Sequence, residues 1–350
     1  MLAEIIPKLA EFEREDHEYY PRPSLSGPER CERQMVYWGL GFSGNPLPGR
    51  TIVLFDDSSW HAELTLDWLR KSVYRVHSTE MRIDCGEKYG ICLQGSIDGI
   101  VTDILGKDYL LENKSINHFT FQRYWTGELP QDYMSQIALY FRGVQKINPD
   151  IHEGIILVKN KNTAQYLEFV MEYKTDDLLI KEMINSRNEK KVINTTINNI
   201  TDLAFSKFAR VKKAIKDKNL PKRPYESNSW QCEYCAYNKI CWEGYVEEIN
   251  ALTTDVALSE ELETTARYYK ELGAQETEIK KEREQLKDIL KRALADMGAR
   301  TGKVGNYTIA LSAFTRQEID KSLVPPEAFK AVPSERFTVT ATKQKEEKKG

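Results

Sequence analysis

The chain has 350 residues, 41% of them apolar, and sets 50 Lys and Arg against 53 Asp and Glu for a formal net charge of -3. This length and apolar fraction bury a full core with appendages, and so small a net charge excludes holding a polyanion through a global positive field, leaving that work to local basic patches. The opening MLAEIIPKLAEFERED is acid-rich without a basic flank, and no later apolar run approaches the ~20 residues of a membrane span, so a cytoplasmic protein without membrane contact is expected.

The first stretch reads as helix and loop, with Pro21, Pro23, Gly27 and Pro28 breaking residues 21–28 before a mostly helical block runs to about Ser78, interrupted near Gly44 to Arg50. Residues 81–114 alternate as three antiparallel strands around turns at Gly86 to Gly90 and Leu105 to Lys107. The mixed run HFTFQRYWTGELP, residues 118–130, reads as a loop whose Phe119, Phe121, Tyr124 and Trp125 either stack on unpaired bases or pack in the core. An amphipathic helix over 132–146 and two strands around Lys159 to Thr163 follow, and helix is expected again from about Asp176 to Lys218. Leu262, Tyr269, Leu272, Ile279, Leu286 and Leu290 recur at helical spacing within 257–298, giving one long helix or two broken at Gly273. VGNYTIALSAF and ERFTVTATK read as strands of a small appendage, and KQKEEKKG as a disordered tail.

Within the strand trio, Glu112 and Lys114 are two apart and therefore share one face of the sheet, with Asn113 pointing away. A three-residue loop at Leu105 to Lys107 pairs Ile104 with Asp108 and places Asp98 opposite Lys114, diagonal to Glu112. Read alone, the three are either surface charges on a half-exposed sheet or two carboxylates for a hard divalent cation with a lysine beside the reacting phosphate. Gln136 and Tyr140 put an amide and a phenol four apart on one helical face, and His61 sits in the helix before the trio, with His17, His77, His118 and His152 as competitors.

An Asp, a Glu-x-Lys, a Gln-x-x-x-Tyr and an upstream helical His, in that order, resemble the RecB-like branch of the PD-(D/E)xK nuclease superfamily over roughly residues 20–245. The resemblance implies a restriction-endonuclease-like α/β core with a central mixed sheet flanked by helices. It implies Asp98, Glu112 and Lys114 as the catalytic set, and Mg²⁺ or Mn²⁺ held by Asp98, Glu112, the Asn113 carbonyl and His61. Gln136 and Tyr140 would position the DNA strand. Ile97 stands where the superfamily's name has proline, although Gly-x-x-Asp is common in this branch.

Cys232, Cys235 and Cys241 form C-x2-C-x5-C, and Cys31 is the candidate for a fourth thiolate; such a set suits zinc or an iron-sulfur cluster. Iron-sulfur relatives of this branch, among them CRISPR-associated RecB-like exonucleases, have three clustered cysteines and a distant fourth, which implies a 4Fe-4S cluster here. Cys85 and Cys92 read as small buried side chains. The basic run FSKFARVKKAIKDK offers Lys207, Arg210, Lys212, Lys213 and Lys216 as DNA-backbone contacts, or as a solvated helix face.

The expected organisation is a nuclease core over 1–245 closed by the four-cysteine site, a helical arm over 246–300, a small β appendage over 301–342 and a tail over 343–350. The expected activity is metal-dependent DNA exonuclease, in a bacterial, archaeal or phage-infected cell. The appendage resembles that of phage recombination exonucleases, which implies end resection with a single-strand annealing protein or another recombination or CRISPR protein as partner. The alternatives are a structure-specific endonuclease and a metal-stapled DNA-binding scaffold with a vestigial nuclease fold.

Overall fold

A computed structural model describes residues 2–13, 17–251, 260–305 and 307–313. It divides into two compact units, Met1–Cys241 and Trp242–Gly350. In the first, helices α1 (Leu2–Glu13), α2 (Glu32–Gly39) and α3 (Gly49–Arg70) lead to nine strands: β1 Arg75–His77, β2 Met81–Lys88, β3 Ile91–Ile97, β4 Gly99–Thr102, β5 Asp108–Ile116, β6 Glu153–Asn160, β7 Tyr166–Lys174, β8 Asp177–Asn185 and β9 Lys190–Ile197. Helices α4 (His118–Tyr124) and α5 (Gln131–Val144) connect β5 to β6, and α6 (Ile200–Asp217) follows β9. Short helices α7 (Trp230–Glu233) and α8 (Asn238–Trp242) carry the cysteine-rich segment.

Seven strands form one sheet in the order β1-β4-β5-β6-β7-β8-β9, mixed because β5 and β6 run parallel while every other pair is antiparallel. A parallel pair needs a crossover, and α4 with α5 supply it. The period of two then sorts β5 between two environments. Leu110 joins the main core with Ile137, Phe141, Ile156, Val158, Phe205 and Phe208, whereas Leu111 packs with Val101 and Leu66 of α3. Glu112 and Lys114 share the parity of Leu110, so they face α5.

The strands β2 and β3 pair only with each other, as a separate hairpin with a bulge between Asp84 and Gly86 and a turn at Tyr89 and Gly90, both with positive φ. The expected single three-stranded meander is therefore split at Asp98. Its second loop also differs: Thr102 pairs with Asp108, leaving a five-residue loop rather than three. The Asp103 carboxylate sets that length by accepting from the Leu105 and Lys107 amides at 2.8 and 2.9 Å. Residues 118–124 are helix rather than loop, with the Asn117 side chain capping the Thr120 amide at 2.9 Å. Phe121 and Tyr124 are core, while Phe119 is exposed. Residues 177–197 are two strands rather than helix. A bulge between Ile180 and Glu182 turns the apolar spacing from two to three, so Leu178, Ile180 and Met183 imitate a helical stripe. Cys85 is buried, but Cys92 is exposed.

The second unit holds α9 (Tyr245–Asn250), an unbroken 36-residue α10 (Glu261–Asp296) that passes through Gly273, and a hairpin of β10 (Thr301–Val304) and β11 (Tyr307–Ala310). Leu294 is buried beneath Gly302, where an added Cβ would lie 3.2 Å from the leucine. The expected strand ERFTVTATK and tail 343–350 lie outside the described residues. Among the described residues no helix is long and apolar enough to cross a membrane.

Candidate active site

Gly99 at the head of β4 pairs with Leu111, so the next outward amide of β5, that of Asn113, has no β4 residue to bond it; Ile97 is already paired to Met81 in the other sheet. The Asp98 side chain takes that place, its Oδ2 accepting from the Asn113 amide at 2.6 Å. The observed register carries Asp98 toward Glu112 rather than toward Lys114: paired residue numbers sum to 210, as in 99 with 111 and 102 with 108, not to the expected 212, and continuing that sum past Gly99 sets 98 against 112. Parity is unchanged, and the two acids remain on one face.

Glu112 is 1% exposed. Its Oε1 accepts from Lys114 Nζ at 2.5 Å, and its Oε2 is buried without a hydrogen-bond partner. Lys114 Nζ also donates to Gln136 Oε1 at 3.0 Å, and Gln136 Nε2 donates to the Tyr140 hydroxyl at 3.1 Å. One turn of α5 thus aligns the amide and the phenol behind the lysine. Gly95 makes room for the phenol, since a Cβ there would lie 2.7 Å from Tyr140 Cε1 and 3.0 Å from Pro23 Cγ.

Burial pushes the Asp98 carboxyl up to about 8, with the Glu112 charge adding to it against the Asn113 amide and Lys114. Burial alone would lower Lys114, but the charge and hydrogen bond of Glu112 hold its ammonium above the usual range. Burial also raises Tyr140, which stays a neutral phenol. A buried acid pair with one unpartnered carboxylate oxygen is the donor set of a hard cation. Asp98, Glu112 and the Asn113 carbonyl therefore fit such an ion.

His61 lies half-buried on α3, where burial, then the charges of Lys159 and Lys161, lower its pKa and favour neutral imidazole. The Asn113 side chain donates to the neighbouring Ala62 carbonyl at 3.3 Å, which brings this turn of α3 to β5. Among the described residues, however, no three His, Cys, Asp or Glu side chains are gathered closely enough to hold a metal.

Lys207 must be reassigned from DNA contact to structural tie. It is 4% exposed, donates to the Leu25 carbonyl at 3.2 Å and to the Gly27 carbonyl, and burial lowers it to about 8. It clasps a loop that is buried at Ser26 and Gly27 and whose other ties are Ser26 Oγ to Ser135 Oγ at 2.8 Å, and the Glu29 amide and Arg30 to Asp132 at 3.0 and 3.1 Å. The sequence signal was its spacing of three to buried Ala204 and four to buried Val211. Arg210 pairs with Glu32 at 2.5 Å, Lys212 donates to the Gly90 carbonyl at 2.8 Å, Lys213 pairs with Asp217, and Lys216 is exposed.

The cysteines from the two ends of the first unit come into one neighbourhood. Burial raises the Cys235 thiol to about 11, with the charges of Cys31, Cys232 and Cys241 adding to it. Burial likewise raises Cys31, against amides of its own helix start and with Cys241 and Cys232. The approach is built by Tyr37 stacking on Tyr237 at 5.6 Å and by the Asn45 amide donating to Ala236 at 2.6 Å.

The profile of the PD-(D/E)XK nuclease superfamily matches residues 54–242, a span that holds His61, Asp98, Glu112, Lys114, Gln136, Tyr140 and three of the four cysteines. No curated protein matches the chain. Seven chains of known structure do. One, described as "Crystal structure of SSO0001", is 15% identical with a TM-score of 0.37, over 69% of this chain and 96% of its own.

Proposed function

Because the chain belongs to the PD-(D/E)XK nuclease superfamily, we propose that it is a metal-dependent DNA exonuclease that resects DNA ends for recombination or repair. The observation that carries the reading is Glu112, buried, bound through one oxygen to Lys114, with its other oxygen unpartnered within electrostatic reach of Asp98. Asp98, Glu112 and the Asn113 carbonyl would hold Mg²⁺ or Mn²⁺, with neutral His61 as a further ligand. The ion, when bound, supplies positive charge that acidifies water and draws electron density from the scissile phosphate. Lys114, kept as an ammonium, acts as a donor that orients the attacking water and meets charge developing at phosphorus. Gln136 fixes that ammonium from behind, and Tyr140 fixes Gln136. Lys212, Lys213 and Lys216, on the outer part of α6, serve phosphates of the bound strand.

The same reading places the protein in the RecB-like, iron-sulfur branch, with Cys31, Cys232, Cys235 and Cys241 as ligands of a 4Fe-4S cluster and zinc as the lesser occupant. The raised thiols of Cys31 and Cys235, each under the charge of Cys232 and Cys241, support it, since a bound metal would take their protons. The helical arm and small appendage after residue 245 are read as the surface for a single-strand annealing or other recombination partner.

End-labelled linear DNA and closed circular DNA, each with purified protein and Mg²⁺, test the activity. Mononucleotides or short products from the linear substrate alone support exonuclease, and cut circles overturn it. Asp98→Ala, Glu112→Ala and Lys114→Ala should each abolish hydrolysis and keep duplex affinity; a Lys114→Ala enzyme at full rate removes the site assignment. Anaerobically prepared protein should be brown with near-equal iron and sulfide, lost in Cys31→Ala. Stoichiometric zinc without iron overturns the cluster.

A further inference from the structure

We propose that Tyr133 is a positioning residue for the reaction, holding the Lys114 ammonium in place with the face of its ring. The inference rests on the nuclease reading above and adds to it a residue outside the Asp, Glu-x-Lys and Gln-x-x-x-Tyr pattern.

Tyr133 stands three residues before Gln136 and seven before Tyr140 on α5, so all three share the face of the helix turned to β5. Lys114 Nζ lies 4.9 Å from the Tyr133 ring centroid, inside the ~6 Å range over which an aromatic face attracts an ammonium. The ammonium is thus held from three sides, by Glu112 Oε1 at 2.5 Å, Gln136 Oε1 at 3.0 Å and the ring.

The ring is itself fixed. Tyr124, a core residue, meets it edge-on with centroids 6.3 Å apart and planes at 84°. Tyr124 braces the ring at its edge, and the π face is what Lys114 sees.

The three holders are not equivalent once a cation enters the acid pair. Glu112 has two oxygens, one of them already unpartnered, and a divalent ion competes with Lys114 for its charge. With Glu112 shared with such an ion, the lysine would keep one hydrogen bond, to Gln136, for four torsions of side chain. The Tyr133 face then supplies the remaining restraint, and it does so without a formal charge that would oppose the ion. Lys114 stays aimed at the phosphate because the ring does not exchange partners.

The test replaces residue 133 and reads kcat and KM for linear DNA in Mg²⁺ beside thermal melts. Tyr133→Leu should lower kcat roughly five- to thirtyfold with KM within about twofold, and Tyr133→Phe should restore kcat to within about threefold of the parent. Phenylalanine bearing one, two or three fluorines at position 133, introduced by stop-codon suppression, keeps the shape and weakens the π face stepwise. A kcat that falls stepwise along this series supports the proposal even where Tyr133→Leu melts early. A flat series, a Tyr133→Phe variant as slow as Tyr133→Leu, or a loss confined to KM overturns it. Parent protein that hydrolyses DNA while Lys114→Ala does not upholds the nuclease reading independently of this outcome; inactive parent protein overturns both.

Discussion

Replacing Lys207 by Met removes the charge of a buried amine while nearly keeping its volume, and the pH dependence of stability should reveal it. Its folded pKa of about 8 lies below the ordinary 10.5 because burial disfavours the ammonium. Below pH 8 both folded and unfolded chains carry the proton, and the fold bears the whole penalty. Between pH 8 and 10.5 the folded amine is neutral while the unfolded one still binds a proton, so the unfolded state holds more protons and stability rises with pH. The 2.5-unit difference corresponds to about 3 kcal/mol, gained by the parent relative to Lys207→Met across that window and absent from the variant. At pH 7 the variant also leaves the Leu25 and Gly27 carbonyls without their donor, a loss of ~1–3 kcal/mol that opposes the relief of the buried charge. Urea denaturation of both proteins from pH 7 to 10.5, read by tryptophan fluorescence, gives the difference directly. Parallel curves would refute the reasoning, because every other titrating group is common to the two chains.

Gly95→Ala should lower stability by ~1–3 kcal/mol and slow hydrolysis, since the new methyl meets Tyr140 at 2.7 Å and must displace the phenol that braces Gln136; a melt and a kcat equal to the parent would argue against that contact. Asp98→Asn should abolish hydrolysis yet raise the melting temperature in EDTA at pH 8. The Asp98 pKa is raised to about 8 in the fold, so its stabilising contribution is present below pH 4 and is lost as pH rises to 8, where the amide has nothing to lose. A variant that melts below the parent at that pH would show the carboxylate to be stabilised by the fold.

Much of the candidate site's arrangement was legible because two of its relations are purely periodic. Glu112 and Lys114 share a face through the period of two, and Gln136 and Tyr140 share one through the helical turn. The approach of Asp98 to Glu112 survived a wrong loop length only because the register error was even. That error came from the Asp103 side chain, which bonds two loop amides and lengthens the turn. The break between β3 and β4 was not legible, since Ile97 and Gly99 belong to different sheets and pairing is a relation between distant segments. Bulges hid β8 and β9 by mixing spacings of two and three. Tyr133 shares the helical spacing of Gln136 and Tyr140, but spacing does not tell which way Lys114 leans, and the ring contact depends on that.

Asp98 follows the last residue of one sheet and precedes the first residue of another, which makes it a joint in the mechanical sense. Its carboxylate is placed by the angle between two sheets rather than by either alone. The far tip of the β2–β3 hairpin is fastened to α6, through Lys212 on the Gly90 carbonyl and Asp202 accepting from the Tyr89 hydroxyl at 2.7 Å. The seven residues of β3 form a stiff rod of ~23 Å between that fastening and the acid. Asp202 and Lys212 touch neither acid, yet they set the bearing on which one of them is mounted.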